Sequence, residues 1–292
     1  MPSSGAAMSP PGSHTGWEMV HAALHSPPMS DELFQVTHTK IQSFTRCRKQ
    51  YWFSYVSGLD WPPSRDTPAA IVGKGVHRAM RVLCETGYPE DAEHELDVYM
   101  RMPKHELTGP GTEYHRLAFE LLANGVAAHE SIVSEDRYAE LNTWVRSASR
   151  GITVRAAIDR ADRLDAGHWL IIDWKTGRFD LDEIVDAQLD IGHLALRTSR
   201  KLQNDTRVTA IGWNLRSGVQ RVRELTRDDA KKTVDYLANL AARLRTTEEF
   251  PATPGPQCTF CDWRDRCEEA NDLERVELTW LDDDWERGAE PF

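Results

Sequence analysis

Residues 153 to 177, "TVRAAIDRADRLDAGHWLIIDWKTG", constrain the fold more than any other part of the chain. Two strand-like runs, 153–164 and 168–175, flank Asp165-Ala166-Gly167, a turn-forming triplet. They predict an antiparallel hairpin. In the first strand Thr153, Arg155, Ala157 and Asp159 share a face, and in the second Trp169, Ile171, Asp173 and Lys175 do. Trp169-Leu170-Ile171-Ile172 carries that strand out of a core, and Thr176-Gly177 ends it in a turn. Pairing the strands can bring Asp159 near Asp173 and Lys175. Two neighbouring carboxylates repel and raise each other's pKa unless a cation sits between them. Hard ions such as Mg²⁺ or Mn²⁺ suit oxygen ligands of this kind. The plainer alternative is a set of ordinary salt bridges with Arg160 and Arg163.

The segments around the hairpin read as alternating helices and strands. Residues 37–59 have a helical pattern that breaks near Cys47 and stops at Gly58. Residues 73–87, "GKGVHRAMRVLCETG", predict a helix closed by Gly87. A longer helix spans 112–134, with Leu117, Leu121, Leu122 and Val126 on one side. After the hairpin a helix runs from about 182 to 198, capped by Asp180 or Asp182. Strands at 207–215 and 219–225 flank Ser217-Gly218. Thr226 then caps a helix to about 247, with Asp229 at the capping-box position. This order implies an α/β fold with a mixed central sheet flanked by helices.

Five cysteines occur, an odd number that is no disulfide framework. Cys258, Cys261 and Cys267 form C-x2-C-x5-C, one thiolate short of a four-ligand site. Cys47 is the natural fourth, whereas Cys84 falls in a helical apolar pattern and reads as core. Four thiolates fit zinc or an iron–sulfur cluster, and spacing does not separate the two. His77 stands early on a helix after Gly73 and Gly75, a position open to a structural role or to a third metal ligand. Gln188 opens the apolar face of the helix after the hairpin, where it either contacts a ligand or ends the stripe.

The net charge of −11 weighs against a nucleic-acid partner until its distribution is considered. Residues 268–292 hold ten acids and two bases, which accounts for −8 of that total. Near-neutrality of the remainder permits phosphate binding without requiring it. Residues 1–35 are expected to be a disordered tail, or a product of start-site choice, with no signal peptide. Residues 271–292 are expected to be an acidic tail. No apolar run approaches the roughly 20 residues of a membrane helix, so no membrane partner and a cytoplasmic location are expected.

Taken together, these landmarks resemble the RecB-like nucleases of the PD-(D/E)xK superfamily, and more narrowly their iron–sulfur branch. That branch includes AddB-type nuclease domains and CRISPR-associated spacer-acquisition exonucleases. The resemblance spans roughly residues 38–267, within an expected nuclease domain of 36–270. "GKGVH" matches Gly-x-x-x-His, "AIDRAD" supplies the next motif, and "IIDWKTG" supplies Asp-x-Lys. The resemblance implies a restriction-endonuclease-like core with His77, Asp159, Asp173 and the Trp174 carbonyl as metal ligands. It makes Lys175 the catalytic lysine and Gln188 a helper. It also implies a 4Fe-4S cluster on Cys47, Cys258, Cys261 and Cys267, stapling the amino-terminal helix to the cysteine segment. The family's Gln-x-x-x-Tyr motif is half present, with Gly192 in the Tyr position and His193 after it. The implied activity is metal-dependent hydrolysis of DNA, by an exonuclease or an end-processing nuclease. A free or single-stranded DNA end is the implied substrate, and a helicase, recombination or CRISPR-adaptation protein a possible partner. The competing readings are a non-cleaving DNA-end-binding module and a zinc-stapled interaction protein.

Overall fold

The computed structural model describes residues 33–62, 67–177 and 183–271. The acidic tail beyond Asn271, nearly all of the amino-terminal segment, and both candidate caps Asp180 and Asp182 lie outside the described residues. Strand β1 (Phe34–Thr37) already begins inside the segment read as tail. Helices α1 (His38–Arg46) and α2 (Arg48–Tyr55) follow, broken at Cys47 as the sequence indicates. Cys47 is extended there, with φ −159° and ψ 114°. Helix α3 (Pro68–Thr86) starts earlier than the sequence suggested, with Thr67 accepting from the Ala70 N–H, and ends on left-handed Gly87.

Helix α4 (Pro89–Met100) and strand β2 (Asp136–Ser147) were not legible in the sequence. Between them lies α5 (Glu113–Glu130), shorter than the expected 112–134. The hairpin is β3 (Ile152–Asp165) and β4 (His168–Lys175). Then come α6 (Glu183–Arg200), β5 (Arg207–Asn214), β6 (Gln220–Leu225) and α7 (Arg227–Thr246). The Asp229 carboxylate accepts from the Thr226 N–H at 2.9 Å, the reciprocal half of the expected capping box. Among the described residues, no helix is long and apolar enough to cross a membrane.

The six strands form one mixed sheet, with order β1-β3-β4-β5-β6 and β2 also paired to β3. β2 occupies one edge of β3 along residues 152–163. The other edge is shared: β1 takes Ile152 to Arg155, and β4 takes Arg160 to Asp165. Asp159 therefore sits at the fork where β1 has ended and β4 has not yet paired. Even-numbered β4 residues Leu170, Ile172 and Trp174 pack with α3, α4 and α5. Trp169 and Ile171 pack on the opposite face with α6 residues Val185, Leu189 and Leu196. The continuous apolar run is thus a strand covered on both faces.

Strict alternation fails in the middle of β3, apart from the bulge between Arg163 and Asp165. Ile158 and Ala161, three residues apart, enter the same cluster, as do Tyr138 and Leu141 across from them. In a regular strand residues three apart face opposite ways. Both strands shift phase together between these pairs, where Ala139 opposes Arg160 and Leu141 opposes Ile158. Glu140 lies within the shift and takes φ +40°, a left-handed value that is strained for a residue with a side chain.

The cysteine segment is tied to the amino-terminal helices by packing. Trp263 is 1% exposed and stacks on Phe53 of α2 at 5.3 Å with an interplanar angle of 9°. Its indole N–H donates to Ser54 Oγ at 2.8 Å. Lys49 pairs with Glu269 at 3.4 Å, and the Lys49 N–H donates to the Pro251 carbonyl. Trp263→Ala is expected to cost about 3–5 kcal/mol of folding stability, the range for removing a buried Trp. Denaturant unfolding measures it, and a loss below about 1 kcal/mol would mean this contact does not hold the segment.

Candidate active site

β4 is hydrogen-bonded on one side to β3 and runs parallel to β5 on the other, in register from His168↔Arg207 to Lys175↔Asn214. That pairing holds the strand end rigid to its last residue. Asp173 and Lys175 share the α6 face, as expected. Lys175 Nζ lies 2.7 Å from Asp173 Oδ2 and donates to Gln188 Oε1 at 2.8 Å. Gln188, on α6, also donates through Nε2 to Asp173 Oδ1. The three side chains close a ring of polar contacts, so Gln188 contacts the site and does more than end the apolar stripe.

Asp159 meets the same strand end from the fork. Its Oδ2 accepts from the Trp174 N–H at 2.8 Å and lies 3.4 Å from His77 Nδ1 on α3. Next to Ile158 in β3, Asp159 takes the opposite face, toward α3. The salt-bridge alternative does not hold for these two acids. Arg160 forms a buried bidentate pair with Asp162, at 2.9 and 2.6 Å. Arg163 pairs with Asp136 and Glu135.

The electrostatics of the two carboxylates diverge. Burial pushes the Asp173 carboxyl up to about 6, opposed by Lys175 and reinforced by the charge of Asp159. Burial also pushes Asp159 upward, but His77, the Trp174 N–H and Lys175 outweigh it and hold its pKa below the usual range. At His77 burial opposes the charged imidazole, yet Asp159 and Asp173 prevail and raise its pKa. Glu140 joins this field. Its carboxyl is raised first by burial, lowered by Arg81, whose Nε lies 3.7 Å away, and raised again by Asp159. Sequence reading missed Glu140 because the strand that carries it shows no sustained alternation.

On α6, Gly192 packs directly over Ile158 and Ile171; a Cβ there would lie 3.5 and 3.4 Å from them. A Tyr ring at this position would enter the space those residues fill. His193 is buried and accepts from Arg197 Nε at 2.8 Å; burial first, then Arg197, lowers its pKa to about 4. It is a packing residue and no replacement for the missing Tyr.

Cys47, Cys258, Cys261 and Cys267 line one cavity, together with Phe53 and Trp263. The Cys261 thiol is raised first by burial and further by Cys258 and Cys47, which places those sulfurs within electrostatic reach. Cys84 lies apart and buried, its thiol pushed up to about 11 by burial, in keeping with a core residue. Among the described residues, no three His, Cys, Asp or Glu side chains are drawn together tightly enough to hold a metal ion as they stand. The expected ligand sets are therefore neighbours and not preformed cages. At the strand end, Lys175 and Gln188 hold the Asp173 oxygens.

A mixed sheet covered by helices, with two carboxylates and a lysine at one strand end, defines an α/β protein with a polar site at its sheet edge. The sequence profile of the PD-(D/E)XK nuclease superfamily matches residues 35–268, and the chain belongs to that superfamily. No curated protein matches it. Among solved structures, a candidate exonuclease from Eubacterium rectale aligns with TM-score 0.48 and 12% identity, over 94% of this chain and 97% of that one. The protein SSO0001 aligns with TM-score 0.38 and 14% identity, over 86% and 92%. The family assignment rests on the profile match.

The buried Asp173 makes stability depend on pH in a definite sense. An unfolded Asp titrates near 4 and the folded one near 6, so the folded state holds an extra proton between these values. This contribution to stability falls as pH rises through that window. In metal-free buffer, Asp173→Asn should therefore match the parent near pH 4 and exceed it above pH 6, by on the order of 2 kcal/mol. Parallel stability curves across this range, measured with urea, would remove the buried-charge account.

Proposed function

We propose that this chain is a metal-dependent deoxyribonuclease that hydrolyses phosphodiester bonds at or near DNA ends. The observation that carries the reading is the meeting of Asp159, Asp173 and Lys175 at one buried strand end while Arg160 and Arg163 are engaged elsewhere. The donors there are hard, two carboxylates with an imidazole beside them, and fit Mg²⁺ or Mn²⁺. His77, Asp159, Asp173 and the Trp174 carbonyl would hold the ion. When bound, it supplies a water of lowered pKa and positive charge for the phosphate oxygens. Lys175 orients the attacking water and offsets charge on the phosphate. Gln188, bonded to both Lys175 and Asp173, keeps the lysine aimed at the strand end. His77 orients Asp159. The shared cavity of four soft thiols supports a 4Fe-4S cluster as a structural staple, held by Cys47, Cys258, Cys261 and Cys267.

Lys175→Ala should lower cleavage of end-labelled DNA with Mn²⁺ by at least about 100-fold, the usual span for one acid–base group. Its fold and DNA binding should persist, and near-parental turnover would remove the site assignment. For the staple, anaerobically purified protein should show the broad visible absorbance of sulfur-to-iron charge transfer. Cys47→Ala should lose that absorbance and Cys84→Ala should retain it. Stoichiometric zinc without colour would keep the staple and discard the iron.

A further inference from the structure

The α3 side of the sheet is covered unevenly. Helices α3, α4 and α5 pack over Leu170, Ile172 and Trp174 of β4. Away from them, the end of β2 and the start of β3 present side chains to solvent. On β2, Asn142, Trp144 and Arg146 are exposed, Trp144 to 45%, while Val145 between them is buried on the α6–α7 side. Their ladder partners are Ala157, Arg155 and Thr153, and Ala157 is exposed as well. β1 extends the face through Gln35 and Thr37, opposite Thr153 and Arg155. Two residues beyond Ala157, the same face reaches Asp159.

This open face is cationic and aromatic. The Arg155 guanidinium lies 5.9 Å from the centre of the Trp144 ring. Among the described residues, no carboxylate pairs with Arg146 or Arg155, whereas Arg150, Arg160 and Arg163 each hold an acid. We propose that residues 277–286 of this chain, "ELTWLDDDWE", dock on this open face and shield it from other polyanions. The stretch holds five acids, no base and two tryptophans. Its carboxylates suit two guanidiniums that lack counter-charges, and its indoles suit the exposed ring of Trp144.

The chain is long enough to reach. Glu269 pairs with Lys49 at 3.4 Å, which sets the last described residues beside the start of α2. From there α1, nine residues long, leads back about 14 Å to Thr37 at the margin of the open face. Nine residues from Asn271 to Trp280 span up to about 30 Å when extended, enough to round the β1 edge. A tethered segment also competes at an effective concentration on the order of millimolar, which a second copy or a free polyanion must exceed. Because the face runs to Asp159, a docked acidic segment stands where the phosphates of a substrate would approach. That consequence rests on the nuclease reading; the docking itself does not.

The test uses the full chain. With a photoreactive benzoylphenylalanine in place of Ala157, irradiation should join the face to residues 277–286, read by mass spectrometry of the monomer band. The join should be lost when Asp282→Asn, Asp283→Asn and Asp284→Asn are combined, and should weaken at about 0.5 M salt. A join confined to a dimer band assigns the face to a second copy and overturns the proposal, as does a join to other residues or none. The second measurement is anisotropy of a labelled DNA duplex in EDTA. The triple Asn variant should bind about ten-fold tighter than the parent, and less than about two-fold tighter once Arg146→Gln and Arg155→Gln are also present. A gain from lowered net charge alone would persist in that background, and its persistence overturns the proposal. If the join and the gain behave as expected but the protein cleaves no DNA with Mn²⁺, the docking stands and the nuclease reading falls. If it cleaves DNA while the join lands elsewhere, the nuclease reading stands and the docking falls.

Discussion

Placing Asp173 at the end of a strand covered on both faces is the constraint on which the site depends. A carboxylate there is desolvated, and its charge is held against that penalty by Lys175 and Gln188. These partners do not remove the penalty, because the carboxyl still lies well above its ordinary pKa. The fold tolerates the cost because β4 is clamped by β3 and β5 and packed by helices on each face. Stability is thus given up at one strand end.

The second carboxylate stands beside an irregularity in the sheet. Had β3 kept strict alternation, Ile158 and Ala161 could not both pack on α6. The coupled shift in β2 and β3 uses a strained backbone at Glu140, whose carboxyl lies within electrostatic reach of Asp159 and His77. Backbone strain of this kind concentrates at functional sites, where surrounding packing over-determines it. The shift lies where β1 ends and β4 begins, so a ladder is interrupted where its hydrogen bonds are already divided between two partners.

Segments more than 200 residues apart in the chain meet by packing. Phe53, Trp61 and Trp263 form an aromatic cluster, and four cysteines line the cavity beside it. The aromatic contact needs no metal, and a cluster on the cysteines would close the same long loop a second time.

The local sequence carried the hairpin, the break at Cys47, the stop at Gly87 and the Thr226–Asp229 cap. Each follows from residues a few positions apart, through period, turn chemistry or a reciprocal hydrogen bond. The shared face of Asp173 and Lys175 was legible for the same reason, as was the isolation of Cys84 in an apolar helix stripe. Strand β2 was hidden because its alternation changes phase at Glu140, and with it went an acid that feels the charge of Asp159. The pairing of Gln188 with Lys175 and Asp173, and the engagement of Arg160 and Arg163 with other acids, required tertiary contacts. Sequence alternation can say which residues share a face of one strand. Only the packed sheet decides which charges meet across strands, because burial and neighbouring helices select among partners that sequence leaves equally available.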